Sequence, residues 1–162
     1  MKKFVIAAVA TAVMTACSGE REYLNYEGLS MGMSAKAFVD SLKVRGLQLD
    51  TAATDETMTV LNNGNGNFMV TVAQKNDTII AVQEDYTATY NDSTRELWQQ
   101  KRDALAEELG VMPGANLHGE DHKEALFETS KGCISVILLN RSYPSVTIKY
   151  ENETREEKRE KK

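Results

Sequence analysis

Apolar residues recur along this chain with two alternating periods, one helical and one extended, and the alternation occurs twice. Between Ala35 and Arg45, Phe38, Val39 and Leu42 fall on one helical face, with Ser34 placed to cap the start and Gly46 to end it. Thr57 to Asn62, Phe68 to Gln74 and Thr78 to Glu84 then read as strands, rich in Thr, Val and Ile and divided by an Asn-Gly-rich stretch and by Asn76-Asp77. In the middle strand Phe68, Val70 and Val72 alternate with Met69, Thr71 and Ala73, which gives it one face to bury. A second helix is predicted over Ser93 to Gly110: Ser93 and Glu96 have capping-box spacing, Trp98, Arg102, Leu105 and Leu109 recur at helical spacing, and Gly110 stops it. Its buried face is narrow and centred on Trp98 and Leu105. After a loop from Val111 to His122, Glu124 to Thr129, Cys133 to Asn140 and Ser145 to Glu151 read as three more strands, joined by Lys131-Gly132 and Ser142-Tyr143-Pro144. The pattern predicts an α+β fold, a tandem repeat of a helix plus three-stranded antiparallel meander, with units at 28–92 and 93–151.

The two ends follow neither period. Lys2 and Lys3, the apolar run from Phe4 to Met14 and the small residues before Cys17 make 1–16 a signal peptide, too short to span a membrane. Met14-Thr15-Ala16-Cys17 resembles the lipobox of bacterial lipoproteins, which implies a lipid such as palmitate on Cys17 and a chain anchored to the membrane. Ordinary secretory cleavage, with Cys17 left as a plain thiol, is the other reading. Residues 17–27 are polar and read as a tether. From Asn152 to Lys162 there is no large apolar residue, so 152–162 is expected to be a charged disordered tail, solvated or held to an envelope partner by charge.

Charge and chemistry narrow the function. A net charge of −5 leaves no basic footprint for nucleic acid. With only Cys17 and Cys133 in the chain, a lipidated Cys17 rules out a disulfide. Cys133 lies in an apolar run and reads as buried, with no identifiable activating base. His118-Gly119-Glu120-Asp121-His122 is a compact set of metal-ligating types, but its spacing matches no strong metal motif and it reads as a polar loop. Asn62 to Asn67 carries closely spaced glycines yet precedes a strand, so it lacks the arrangement that cradles phosphate. Glu84 with Asp85, and Glu107 with Glu108, are adjacent and point apart, so neither makes an acid-base pair. No catalytic, cofactor-binding or metal residue is assigned.

Gly32-Met33-Ser34 opening a short helix, followed by a meander and then the same plan again, resembles the BamE/SmpA and beta-lactamase-inhibitor-protein-like group of small exported bacterial proteins. The phrase Ala37 to Gly46 and the ending Val146-Thr147-Ile148-Lys149-Tyr150 are similar to exported lipoproteins of unknown function from Bacteroides-type bacteria. The resemblance covers about Gly28 to Tyr150. It implies a non-enzymatic envelope lipoprotein of the outer membrane, facing either side of it, that binds or scaffolds another protein. The competing readings are an inhibitor or small-ligand module using the exposed sheet face, marked by an aromatic patch there, and a hydrolase using Cys133 or the His118 to His122 loop, marked by Cys133 within reach of a histidine.

Overall fold

The computed structural model describes residues 21–117 and 119–161. The chain forms β1 (Asn25–Tyr26), β2 (Leu29–Ser30), α1 (Ala35–Val44), β3 (Gln48–Leu49), β4 (Met58–Asn62), β5 (Phe68–Lys75) and β6 (Thr78–Thr87), then α2 (Asn91–Leu109), β7 (Gly114–Leu117), β8 (His122–Thr129), β9 (Gly132–Leu139), β10 (Ser145–Glu151) and α3 (Arg155–Glu160). It is an α+β structure. Eight strands make one antiparallel sheet in the order β3-β4-β5-β6-β10-β9-β8-β7, and β1 and β2 form a separate small hairpin. The final strand β10 thus sits beside β6 at the middle of the sheet.

Strand alternation sends every second residue to the face that carries α1 and α2. The register aligns these residues in rows, of which the central one runs Leu61, Val70, Glu84, Ile148, Val136 and Ala125 across six strands. All six are buried. Over this face α1 lays Phe38, Val39 and Leu42, and α2 lays Trp98 and Leu105, in one continuous core with Tyr26, Met31 and Phe127. The Trp98 Nε1–H donates to the Val136 carbonyl at 2.9 Å, and Arg102 and Lys123 lie 5.0 and 5.8 Å from its ring centre. The expected aromatic and leucine anchors of both helices are therefore in the core.

The helix ends agree with the sequence in part. Ser34 caps α1, its hydroxyl accepting from the Ala37 N–H at 3.2 Å, and Gly110 ends α2 in the left-handed conformation at φ 65°. The Ser93–Glu96 capping box is corrected. α2 begins at Asn91, behind Tyr90, which supplies no side-chain cap. The start is held instead by a buried clamp, in which the Thr94 hydroxyl and the Asn140 amide both hydrogen-bond the Asn91 carbonyl and each other. Asn140 comes from the far end of β9, so no local motif announces it.

Each meander has four strands, where three were expected. β3 is only two residues long and β7 lies inside the segment taken as a loop, because Gly114 to Leu117 pairs with Lys123 to Leu126 at the sheet edge. The tail is corrected too: it contains α3, started by a capping box between Thr154 and Glu157. No α3 residue is buried. What holds it is charge, with Arg155 to Glu128 at 2.6 Å, Lys158 to Glu151 at 2.6 Å and Glu157 to Arg21 at 3.2 Å. Exposed pairs of this kind are each worth about 0–1 kcal/mol.

Asn152 ends β10 and is 4% exposed. Its amide donates to the carbonyls of Met31 (3.2 Å) and Ile79 (3.1 Å), and its Oδ1 accepts from the Leu24 N–H at 3.3 Å. The hairpin β1–β2 is thereby tied to the sheet, which corrects the reading of 17–27 as a tether: Leu24 and Tyr26 are buried in the core, so its described end is part of the folded body. At the same end Gly132 admits the Glu151 carbonyl so closely that any Cβ would collide with it.

Replacing Trp98 by Ala is expected to lower the unfolding free energy by about 3–5 kcal/mol, as for other large core aromatics. Denaturant unfolding measures this. A loss below about 1 kcal/mol, as at ordinary surface sites, would place Trp98 outside the core.

Candidate functional site

Two places carry the chemistry that is not plain packing. The first is Glu84, the one charged residue in the central buried row. In β6 Val82, Glu84 and Tyr86 share the helix-facing side, so strand geometry drives the carboxylate inward with them. Glu84 is 2% exposed. The Tyr86 hydroxyl donates to Glu84 Oε2 at 2.8 Å, Tyr26 hydrogen-bonds the same carboxylate, and Lys101 Nζ from α2 lies 3.8 Å from Oε2. Lys101 also donates to the Tyr86 hydroxyl at 2.8 Å and stands 4.6 Å from that ring centre. Tyr150 meets Tyr26 edge-on at 5.3 Å. Glu84 is thus ringed by phenols and one ammonium group.

Burial, reinforced by the neighbouring Glu84 charge, pushes the hydroxyls of Tyr26, Tyr86 and Tyr150 well above the ordinary tyrosine range, so all three stay protonated. Among the described residues no buried side-chain nitrogen or oxygen lacks a partner. A carboxylate so enclosed has no open side for a reacting molecule. It ties hairpin, central strands and α2 together, and breaking such a pair leaves an uncompensated buried charge. Beyond Tyr150 a cleft of about 240 Å³ opens between α2 and the β8–β9 turn, walled by Leu24, Leu105, Leu109 and Ile134 with Glu108 and Lys131 at its rim.

The second place is one end of the sheet. The segments 63–67 and 140–144 join strands there and 88–90 leads from β6 into α2; backbone bonds from Thr87 to Asn67 and from Ala88 to Pro144 hold them side by side. They consist of Asn, Gly, Ser, Thr and Tyr with Ala88, Arg141 and Pro144, and they expose Tyr90 at 72% and Tyr143 at 86%. An exposed tyrosine gives broad, rigid, amphipathic contact at low entropic cost, and Asn, Ser and Gly add adaptable hydrogen bonding. Arg21, where the described chain begins, lies at the opposite end, bonded to the Asn152 carbonyl. Eight-residue strands separate the two ends by roughly 25 Å.

The residues singled out in the sequence are placed as follows. Cys17 and His118 lie outside the described residues. His122 starts β8 and pairs in register with Leu139, whereas Cys133 pairs with Glu128 near the far end of β8. His122 and Cys133 are therefore roughly 20 Å apart along the strand, and no dyad forms. Cys133 is 3% exposed, and burial raises its thiol pKa, the reverse of activation. Among the described residues no three His, Cys, Asp or Glu side chains group as a metal site would. Glu84 and Asp85 take opposite faces, and Asp85 accepts from Gln83 and Thr147 on the open side. The open face of the sheet carries no aromatic residue among those described; its apolar side chains include Met58, Met69 and Ile137. The Glu84 centre was missed because the residue was weighed only against its neighbour Asp85. Its alternation with Val82 and Tyr86 was the available signal. Comparison with protein-family models, curated proteins and solved structures finds no match for this chain.

The raised phenols predict an alkaline limit. A group whose pKa rises on folding stabilises the fold below its unfolded pKa, and that stability is lost as pH climbs above it, here from about pH 10 upward. In an ultraviolet pH titration, three of the six tyrosines should ionise only together with the loss of Trp98 fluorescence. Ionisation of all six ahead of unfolding would contradict the buried centre.

Proposed function

We propose that this chain is an envelope lipoprotein, held to a membrane through lipid on Cys17, that works as a non-enzymatic protein-binding or scaffolding module. Its body, on this reading, is a tandem pair of helix-plus-meander units like those of the BamE/SmpA and beta-lactamase-inhibitor-protein-like group. Support comes from the order of elements: α1 precedes β3 to β6, α2 precedes β7 to β10, and the two sets meet through their last strands. Each set begins with a helix that buries an aromatic and then a leucine.

The observation that carries the binding role is the pair of exposed tyrosines Tyr90 and Tyr143 on neighbouring connections, at the end of the sheet remote from Arg21. A tether leaving near Arg21 toward a lipid would turn that loop end away from the membrane. Two exposed rings suit a folded protein partner that offers pockets to receive them. A second reading, an inhibitor or small-ligand module that uses the open sheet face, draws on Met58 and Met69, exposed at 41% and 37% on adjacent strands. Methionine adapts to varied apolar surfaces.

Cys17→Ser should shift the protein from the membrane fraction to the soluble fraction on cell fractionation. Equal membrane retention would refute the lipid anchor. Photo-crosslinking amino acids placed singly at Tyr143, Met69 and Lys36 in the native envelope separate the surfaces. The Tyr143 probe should give a discrete protein adduct that Tyr90→Ala weakens, and the Lys36 probe on α1 should give none. An adduct from Met69 alone would favour the sheet-face reading.

A further inference from the structure

We propose that α3 is a strap held to the sheet by ion pairs and a single backbone hydrogen bond, which covers the Cys133 end of the open face and detaches while the rest of the domain stays folded. A six-residue helix with no buried residue does not sustain itself, since isolated helices this short lack the length to offset nucleation. Its attachment rests on Arg155 and Lys158, three residues apart on one helical side. Arg155 reaches Glu128 and Lys158 reaches Glu151, each at 2.6 Å. Glu128 and Glu151 are the register neighbours of Cys133 on β8 and β10, so the two grips straddle it.

Between those grips the strap closes over the thiol. The Arg155 backbone N–H donates to Cys133, and Lys158 is close enough to be felt by its charge. Ile134 beside it belongs to the helix-facing core, so Cys133 points to the open side, where the strap is its cover and leaves it 3% exposed. The remaining attachments of 153–161 are also ionic, Glu157 to Arg21 and the local pair of Lys161 with Glu153. Asn152, in contrast, is buried and fully bonded, so the hinge falls just after it. Release extends the open face by Cys133, Glu128 and Glu151, of which Glu151 keeps Lys149 at 2.9 Å and Glu128 is left to accept a cationic side chain, as Arg155 does now.

Cys133 reports on this in the full chain once Cys17→Ser leaves it as the only thiol. Its reaction with a neutral dithiodipyridine reagent is followed as salt rises from about 0.01 to about 1 M, over which screening shortens from roughly 30 to roughly 3 Å. The rate should rise roughly tenfold or more while the fluorescence of Trp98, on the opposite face, stays constant. Arg155→Glu with Lys158→Glu should open the thiol already at low salt, and adding Glu128→Arg should restore much of its protection. A rate indifferent to both salt and charge reversal would overturn the strap. So would a rate that increases only together with the Trp98 signal, because the thiol would then open by global unfolding.

Discussion

Everything in this structure is arranged around a charge in the middle of a sheet. Glu84 sits where β6 meets β10, in a row whose other members are apolar, and an unpaired carboxylate there would cost several kcal/mol. The partners come from three places in the chain: Tyr26 from the hairpin, Tyr86 from the same strand and Lys101 from α2, with Tyr150 of the last strand packed edge-on against Tyr26. None of them neutralises the site by itself. The helix-facing layer is satisfied only when hairpin, sheet centre and α2 are all in place, so a polar requirement joins parts that apolar contact alone would leave free to shift.

The same constraint separates the two faces. The helix-facing side is occupied by its own aromatics and by the Glu84 network, so it has little left to offer a partner. The opposite side and the loop end are finished differently, with methionines and threonines on the strands and tyrosines on the loops. A binding role for this protein rests on those finishing residues, which the core neither needs nor determines.

How much of this was legible depended on how local each cause is. The helices, the strands and the inward position of Trp98 follow from spacing within a few residues, and so do Ser34 and Gly110 as helix ends. The Thr94–Asn140 clamp is not local: Asn140 lies far along the chain, and Ser93 offered a capping pattern that the fold did not take up. β3 and β7 escaped notice because edge strands need only one partner and little hydrophobic pattern. The tail was read from composition, which correctly denies it a core, but composition is blind to acidic partners waiting on β8 and β10. Glu84 is the instructive case. Its strand was predicted and its alternation was visible, yet a carboxylate in an inward position looks like an error until Tyr26 is brought next to it.

The placement of β10 has a consequence for how the molecule is made. The last strand of the chain is a central strand of the sheet, so the edge of β6 stays unpaired until nearly the whole polypeptide is available. The segment from α1 to β6 can gather as synthesis proceeds, but it carries an open strand edge and an inward carboxylate that still lacks its ammonium partner Lys101, both of which discourage premature closure. The export proposed above would have the chain cross a membrane unfolded, and such a delay suits it. The sheet completes itself only when β10 has arrived, and Asn152, directly behind β10, then bonds the β1–β2 hairpin to the far end of the same strand.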